Sequence, residues 1–230
     1  ASIYGGGYGA ATTVTGDVKV NVGGQKDDGT FVGGNIIIAG SVYGGSALGA
    51  VNATKGESGL SPNSGKTTEV TLKKGTVTRY VFGGGQGNAN TTAHVYGNST
   101  VTLYGDVVAG GLYGGCDANG KMHGDTKLNL IGGTIGASSA PTAHILFGGG
   151  LGQATTVDGD VTVNVGSYST EFASYSGNPV TIWGNVYGGG ALGSVNTNTN
   201  NTTLVNLYKG TVKGNVFGGG LGQAAAEAQD

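Results

Sequence analysis

Seven times this chain places an aliphatic residue, an aromatic residue and then a run of glycines: Ile3-Tyr4, Val42-Tyr43, Val81-Phe82, Leu112-Tyr113, Leu146-Phe147, Val186-Tyr187 and Val216-Phe217. Successive aromatic residues are 39, 39, 31, 34, 40 and 30 positions apart. Units of that length bury an apolar face only by stacking on one another, so a one-dimensional repeat is expected.

A second element repeats between these motifs as alternating strands. They are Val18-Lys19-Val20-Asn21-Val22, Val70-Thr71-Leu72, Val101-Thr102-Leu103, Leu128-Asn129-Leu130, Val161-Thr162-Val163-Asn164-Val165 and Val205-Asn206-Leu207. Period two with branched residues predicts half-buried strands. With the aliphatic residues inward, Asn21, Thr71, Thr102, Asn129, Asn164 and Asn206 fall at one outward position and are expected to form a hydrogen-bonded side-chain ladder.

The fold class that follows is all-β: a parallel β-solenoid, or β-helix, of about seven irregular rungs of 30–40 residues, occupying 1–230 as one domain. Three longer repeats, about 4–81, 82–146 and 147–222, tile it, with a short tail over 223–230. A β-sandwich does not require like strands at one phase, and a propeller, whose blades have a similar length, is the competing architecture. Insertions at 24–34, 51–66, 137–142, 166–179 and 196–201 read as loops. Helical periodicity is absent except for a short terminal turn expected over 224–228.

Composition narrows the function classes. The chain has 51 Gly, 3 Pro, 10% charged residues and a net charge of −2. Such scattered charge provides no basic stripe for nucleic acid and no polybasic anchor for a membrane surface. Collagen is excluded because glycine has no period of three and proline is scarce. No apolar run is long enough to insert into a membrane, and within the sequence no charged segment leads into an apolar stretch as a signal peptide does. The lone Cys116 cannot form an internal disulfide and is expected to be a buried or corner thiol.

Motifs that could carry chemistry are few. The glycine pairs suggest a calcium-binding β-roll, but Ala89 and Ala154 stand where its coordinating aspartate is required. The glycine runs are followed by no helix, so they form no phosphate cradle. Asp158 and Asp160, with Arg79 and Trp183, are the candidates for a polysaccharide-cleaving or sugar-binding groove. The competing expectation for Asp160 is a turn carboxylate accepting backbone N–H groups. His94, His123 and His144 lie in different units; the echo of Thr92-Ala93-His94-Val95 in Thr142-Ala143-His144-Ile145 reads as repeat ancestry, and His94 and His144, two units apart, are not expected to share a ligand. No catalytic residue, cofactor or metal is therefore expected.

The aromatic column Tyr4, Tyr43, Phe82, Tyr113, Phe147, Tyr187 and Phe217 alternates with its aliphatic neighbours. One column should lie inside and the other outside or at a corner. Rings inside would be stacked core; rings outside would form a platform for sugars or another solenoid. Lys19, Glu69 and Lys127 beside the Thr/Asn column break the flat hydroxyl array that ice binding needs. The sequons at Asn52, Asn90, Asn98, Asn200 and Asn201 follow from Asn and Thr abundance alone.

The segments Gly184-Asn185-Val186-Tyr187-Gly188-Gly189-Gly190 and Gly214-Asn215-Val216-Phe217-Gly218-Gly219-Gly220 resemble glycine-rich repeats of very large surface or secreted proteins of gut Bacteroidetes. A looser similarity is to adhesin-type autotransporter passengers. The resemblance implies an extracellular or cell-surface adhesin-like β-helix and carries over no active residue. Both ends of the sequence are at the same repeat phase, which predicts head-to-tail stacking of copies or adjacent solenoid segments. The expected function is a non-enzymatic structural or adhesive filament or stalk segment, with surface glycans as possible partners. The alternative is a carbohydrate-binding module or a polysaccharide-lyase-like β-helix.

Overall fold

The computed structural model describes residues 1–33, 35–140, 144–167 and 179–222, with backbone alone at Asp106 and His144. The terminal turn expected over 224–228, most of the 166–179 insertion and the side chain of His144 lie outside the described residues. The described residues form strands and connections with no helix. Their strands pair mostly in parallel, the largest sheet having 15 strands and curling into a half-barrel. A second sheet has 6 strands.

Like pairs with like in three ladders of the large sheet. In the first, Ile3, Val42, Val81, Leu112, Leu146, Val186 and Val216 are successive partners. In the second, Val20, Val70, Val101, Leu128, Val163 and Val205 are partners. The third joins Ile38, Val77, Ala109, Ile135, Ile182 and Val212. The smaller sheet supplies a fourth ladder through Val14, Val51, Val95, Met122, Val157 and Val195.

The curl has a local cause. Strands Thr67–Phe82 and Asn98–Tyr113 pass through all three ladders of the large sheet and slip register between Leu72 and Lys74 and again between Val77 and Tyr80. An unpaired residue bends its strand, so each slip makes a corner. Inside, the aliphatic partners of the three ladders, apart from Ile3 and Val216 at the two edges, form one continuous core cluster. A second cluster, including Val51, Val95, Met122, Val157, Val18 and Val161, joins the smaller sheet to the large one.

Glycine after the aromatic residue is dictated by close approach. A Cβ on Gly83 would lie 2.4 Å from the Gly114 carbonyl oxygen, on Gly114 2.1 Å from that of Gly148, and on Gly148 2.2 Å from that of Gly188. No side chain fits between backbones at that separation.

Two insertions expected to be loops contain antiparallel hairpins. Gly24–Gln25 pairs with Phe31–Val32, and Ala53–Gly56 pairs with Gly59–Pro62. Their length allows the chain to reverse and satisfy its own backbone groups without disturbing the ladders.

Candidate functional site

Of the two neighbouring columns, expected to lie one inside and the other outside or at a corner, neither faces solvent along most of its length. Both are buried, in separate clusters: the aliphatic residues in the main core, and the rings with Ala191 against a partly buried cover including Tyr80, Leu151 and Leu221. The glycine segment folds the chain back over the rings, creating a second interior that strand alternation alone does not reveal. Adjacent rings from Tyr4 to Phe217 are stacked, with centroids 4.7 to 5.2 Å apart. Burial is nearly complete from Tyr43 to Tyr187, but Phe217 is 42% exposed.

Polar groups close one side of this stack. Tyr43 donates its hydroxyl to Asp117 Oδ2 at 2.7 Å, and Gln86 Nε2 donates to the same oxygen at 3.0 Å. Tyr4 donates to Gln86 Oε1. Burial first, and then hydrogen bonding to Asp117, raises the Tyr43 phenol above its ordinary range.

The Thr/Asn column occupies the face of the second ladder opposite the aliphatic core. Asn164 Nδ2 donates to Asn129 Oδ1 at 2.9 Å, and Asn206 Nδ2 to Asn164 Oδ1 at 2.8 Å. Asn21 is exposed and Thr71 half-buried, whereas Thr102 and Asn129 are buried. The column therefore does not present a uniformly solvent-facing array.

The four groove candidates are not assembled. Asp160 Oδ1 accepts the backbone N–H of Thr202 at 2.7 Å, while the Asp160 N–H donates to Asp125 Oδ1 at 2.8 Å. Asp17 similarly accepts from Thr67 N, and Asn98 from Asp125 N. These side chains bridge successive levels at one turn. Arg79 is exposed in the large sheet between the third and first ladders. Trp183 lies beneath the Lys213 ammonium, 5.4 Å from its ring. An open apolar groove of 410 Å³ between Thr76, Val108, Gly136, Ala137, Ala140 and Ile145 includes none of the four.

Asp158 belongs to a different constellation, on the smaller sheet. The segments Val95-Tyr96-Gly97, Met122-His123-Gly124 and Val157-Asp158-Gly159 follow in register, so Tyr96, His123 and Asp158 are neighbours along one column. Two residues earlier on each strand, His94, Lys121 and Thr156 form the adjacent column on the same face. Lys121 Nζ lies 3.0 Å and His123 Nδ1 3.7 Å from Asp158 Oδ2. Thr197 donates to Asp158 Oδ1 at 2.5 Å. The His123 ring stacks on Tyr96 at 4.1 Å, and its Nε2 lies 3.1 Å from His94 Nδ1.

No family model, curated protein or solved structure matches the chain.

The His94 and His123 contact pairs histidines of different units that their spacing along the chain does not bring together. Parallel register converts a sequence separation of 29 residues into one strand spacing. The shared Val/Met-x-Gly pattern at 95–97, 122–124 and 157–159 was the available sequence signal. Burial pushes His123 down to about 4, with His94 and Lys121 adding to the effect and Asp158 opposing it. Burial and then Lys121 also lower His94. Both rings are therefore neutral at pH 7.

Asn52 and Asn196, also unforeseen, clamp insertion loops. Asn52 Nδ2 donates to Gly16 O and Thr67 O, while its Oδ1 accepts from Thr68 Oγ1. Asn196 repeats this with Gly159 O, Thr202 O and Thr203 Oγ1. Cys116 is fully buried against Met122, and desolvation pushes its thiol up to about 12. A thiol held in that form is a poor nucleophile.

Proposed function

We propose that this chain is a non-enzymatic structural or adhesive segment of an extracellular or cell-surface protein, built as a parallel β-solenoid whose levels extend into a filament or stalk. The partners are further copies of the chain or adjoining solenoid segments, joined end to end. The carrying observation is the stack of Tyr and Phe rings, one per level, running in register from Tyr4 to Phe217 at 4.7 to 5.2 Å. A stack of this kind has no natural limit to its length, because each level offers the next the same surface.

The edge at 203–217 supports the reading. Leu204, Leu207, Val216 and Phe217 are 48%, 55%, 39% and 42% exposed there, on strands that among the described residues pair on one side only. Such an edge templates further β-pairing. Ile3 and Tyr4 at the opposite edge are the same residue types as Val216 and Phe217. Engagement of Asp160 at a turn and the distance in fold between Asp158 and Arg79 favour a mechanical role over polysaccharide cleavage.

Electron microscopy of the purified chain over a concentration series tests this function. Unbranched fibres of constant width that lengthen with concentration are expected. Rods of constant length at every concentration, with the 203–217 amides protected from exchange, would overturn it.

A further inference from the structure

His94 Nδ1 and His123 Nε2 are 3.1 Å apart. Imidazole nitrogens bind a first-row divalent cation at about 2.0–2.1 Å, so two of them on one ion stand roughly 3 Å apart when the angle at the metal is near a right angle or slightly wider. The separation already present is within the range such an ion needs, and binding requires each ring to turn so that its nitrogen, which faces the other nitrogen in the present contact, faces the ion instead.

The surroundings of His123 supply an independent argument. Its second nitrogen, Nδ1, faces Asp158 Oδ2 at 3.7 Å. At that distance the carboxylate makes no hydrogen bond to the ring; closing to about 2.8 Å would let it orient a ligating imidazole and raise its basicity. Tyr96 holds the ring plane from one side, at an interplanar angle of 5°. Thr197 and Lys121 fix the carboxylate, and the Lys121 charge is met by that same group.

We propose that His94 and His123 form a two-imidazole site for a borderline divalent transition cation such as Ni²⁺, Cu²⁺ or Zn²⁺, with water filling the remaining positions. No cluster of three or more His, Cys, Asp or Glu suited to a metal occurs among the described residues, so the protein supplies two direct ligands and Asp158 stands behind one of them. With the His123 hydrogen on Nδ1 toward Asp158, Nε2 holds a lone pair and His94 Nδ1 donates to it. Metal binding moves the His94 hydrogen from Nδ1 to Nε2. The cation then replaces the shared proton, and no net proton is released. A pair of this kind binds exchangeably and ties two neighbouring strands together.

Calorimetric titration of the whole chain with NiCl₂ tests the site, alongside electron paramagnetic resonance with one equivalent of CuCl₂. The wild type is expected to bind one Ni²⁺ and to show two imidazole nitrogens on Cu²⁺. H94F and H123F, which keep a ring against Tyr96, should each abolish that site. D158N should weaken it roughly 10- to 100-fold. His144→Gln should leave it unchanged, and subtracting the H94F/H123F double variant removes ions held elsewhere, including at the amino terminus. H94Q and H123Q replace the Phe variants if circular dichroism shows those to be misfolded. Equal binding by wild type and folded single variants, or loss on His144→Gln, would overturn the proposal.

Discussion

At position 148 a single methyl group decides what the chain tolerates. The Cβ of Gly148→Ala would sit 2.2 Å from the Gly188 carbonyl oxygen, a backbone atom of a residue whose own N–H is tied to Phe217 O. Relief requires separating two levels, so the substitution should destabilise by about 1–3 kcal/mol or more, read from urea denaturation. An unchanged midpoint would show that the levels can move apart freely. Ser99 tests the opposite sign. Its Oγ is buried without a hydrogen-bond partner, whereas its ladder partners Thr68 and Thr126 use theirs on Asn52 and Gly148. The same column carries Val18 and Val161. Ser99→Val should therefore stabilise by about 1 kcal/mol, since an unpaired polar atom is removed. A lower melting temperature would mean the hydroxyl has a partner in solution.

At the scale of the element, the smaller sheet is the pH-sensitive part. His123 is faced by His94, Lys121, Asp158 and Tyr96. Its depressed folded value, about 4 against an ordinary 6.5, means that the unfolded chain binds the proton more tightly. Stability is then fully present above about pH 6.5 and is lost as pH falls from there to about 4. The shift corresponds to about 3 kcal/mol at the outside, and to the order of 1–2 kcal/mol once solvent screening at this partly exposed ring is included. Metal-free wild type and His123→Phe should diverge in melting temperature between pH 7 and pH 4, with the variant losing less. Parallel curves would remove His123 as the cause. The strands themselves were legible from period two, as in Val18-Lys19-Val20-Asn21-Val22, where the valines are buried and Lys19 and Asn21 exposed. The hairpins in two insertions were not legible, because Gly24–Gln25 and Phe31–Val32 are too short to show a period.

For the whole molecule, stability should be graded along the stack. A central level is paired on both sides, as Val101 is with Val70 and Leu128, while Val205 is paired with Val163 on one side. Hydrogen exchange at low concentration should be slowest at 70–72, 101–103 and 128–130 and fastest at 203–217. Uniform protection would indicate a single cooperative unit. Raising the concentration should selectively slow the 203–217 amides if copies stack there.

The sequence by itself determined an all-β chain whose like segments repeat, because period two and the recurring aliphatic-aromatic-glycine motif depend on neighbours along one strand. Glycine after each ring was equally visible, as a demand imposed at every level by its neighbour. Tertiary structure alone decided that the rings and their aliphatic neighbours are both buried, since that depends on the glycine segment folding back to make a second interior. It also decided that Asp158 joins His123, Lys121 and His94 rather than Asp160 and Arg79. Side-chain meetings across a parallel sheet depend on register, and the variable insertions make register a property of the assembled ladders rather than of spacing along the chain.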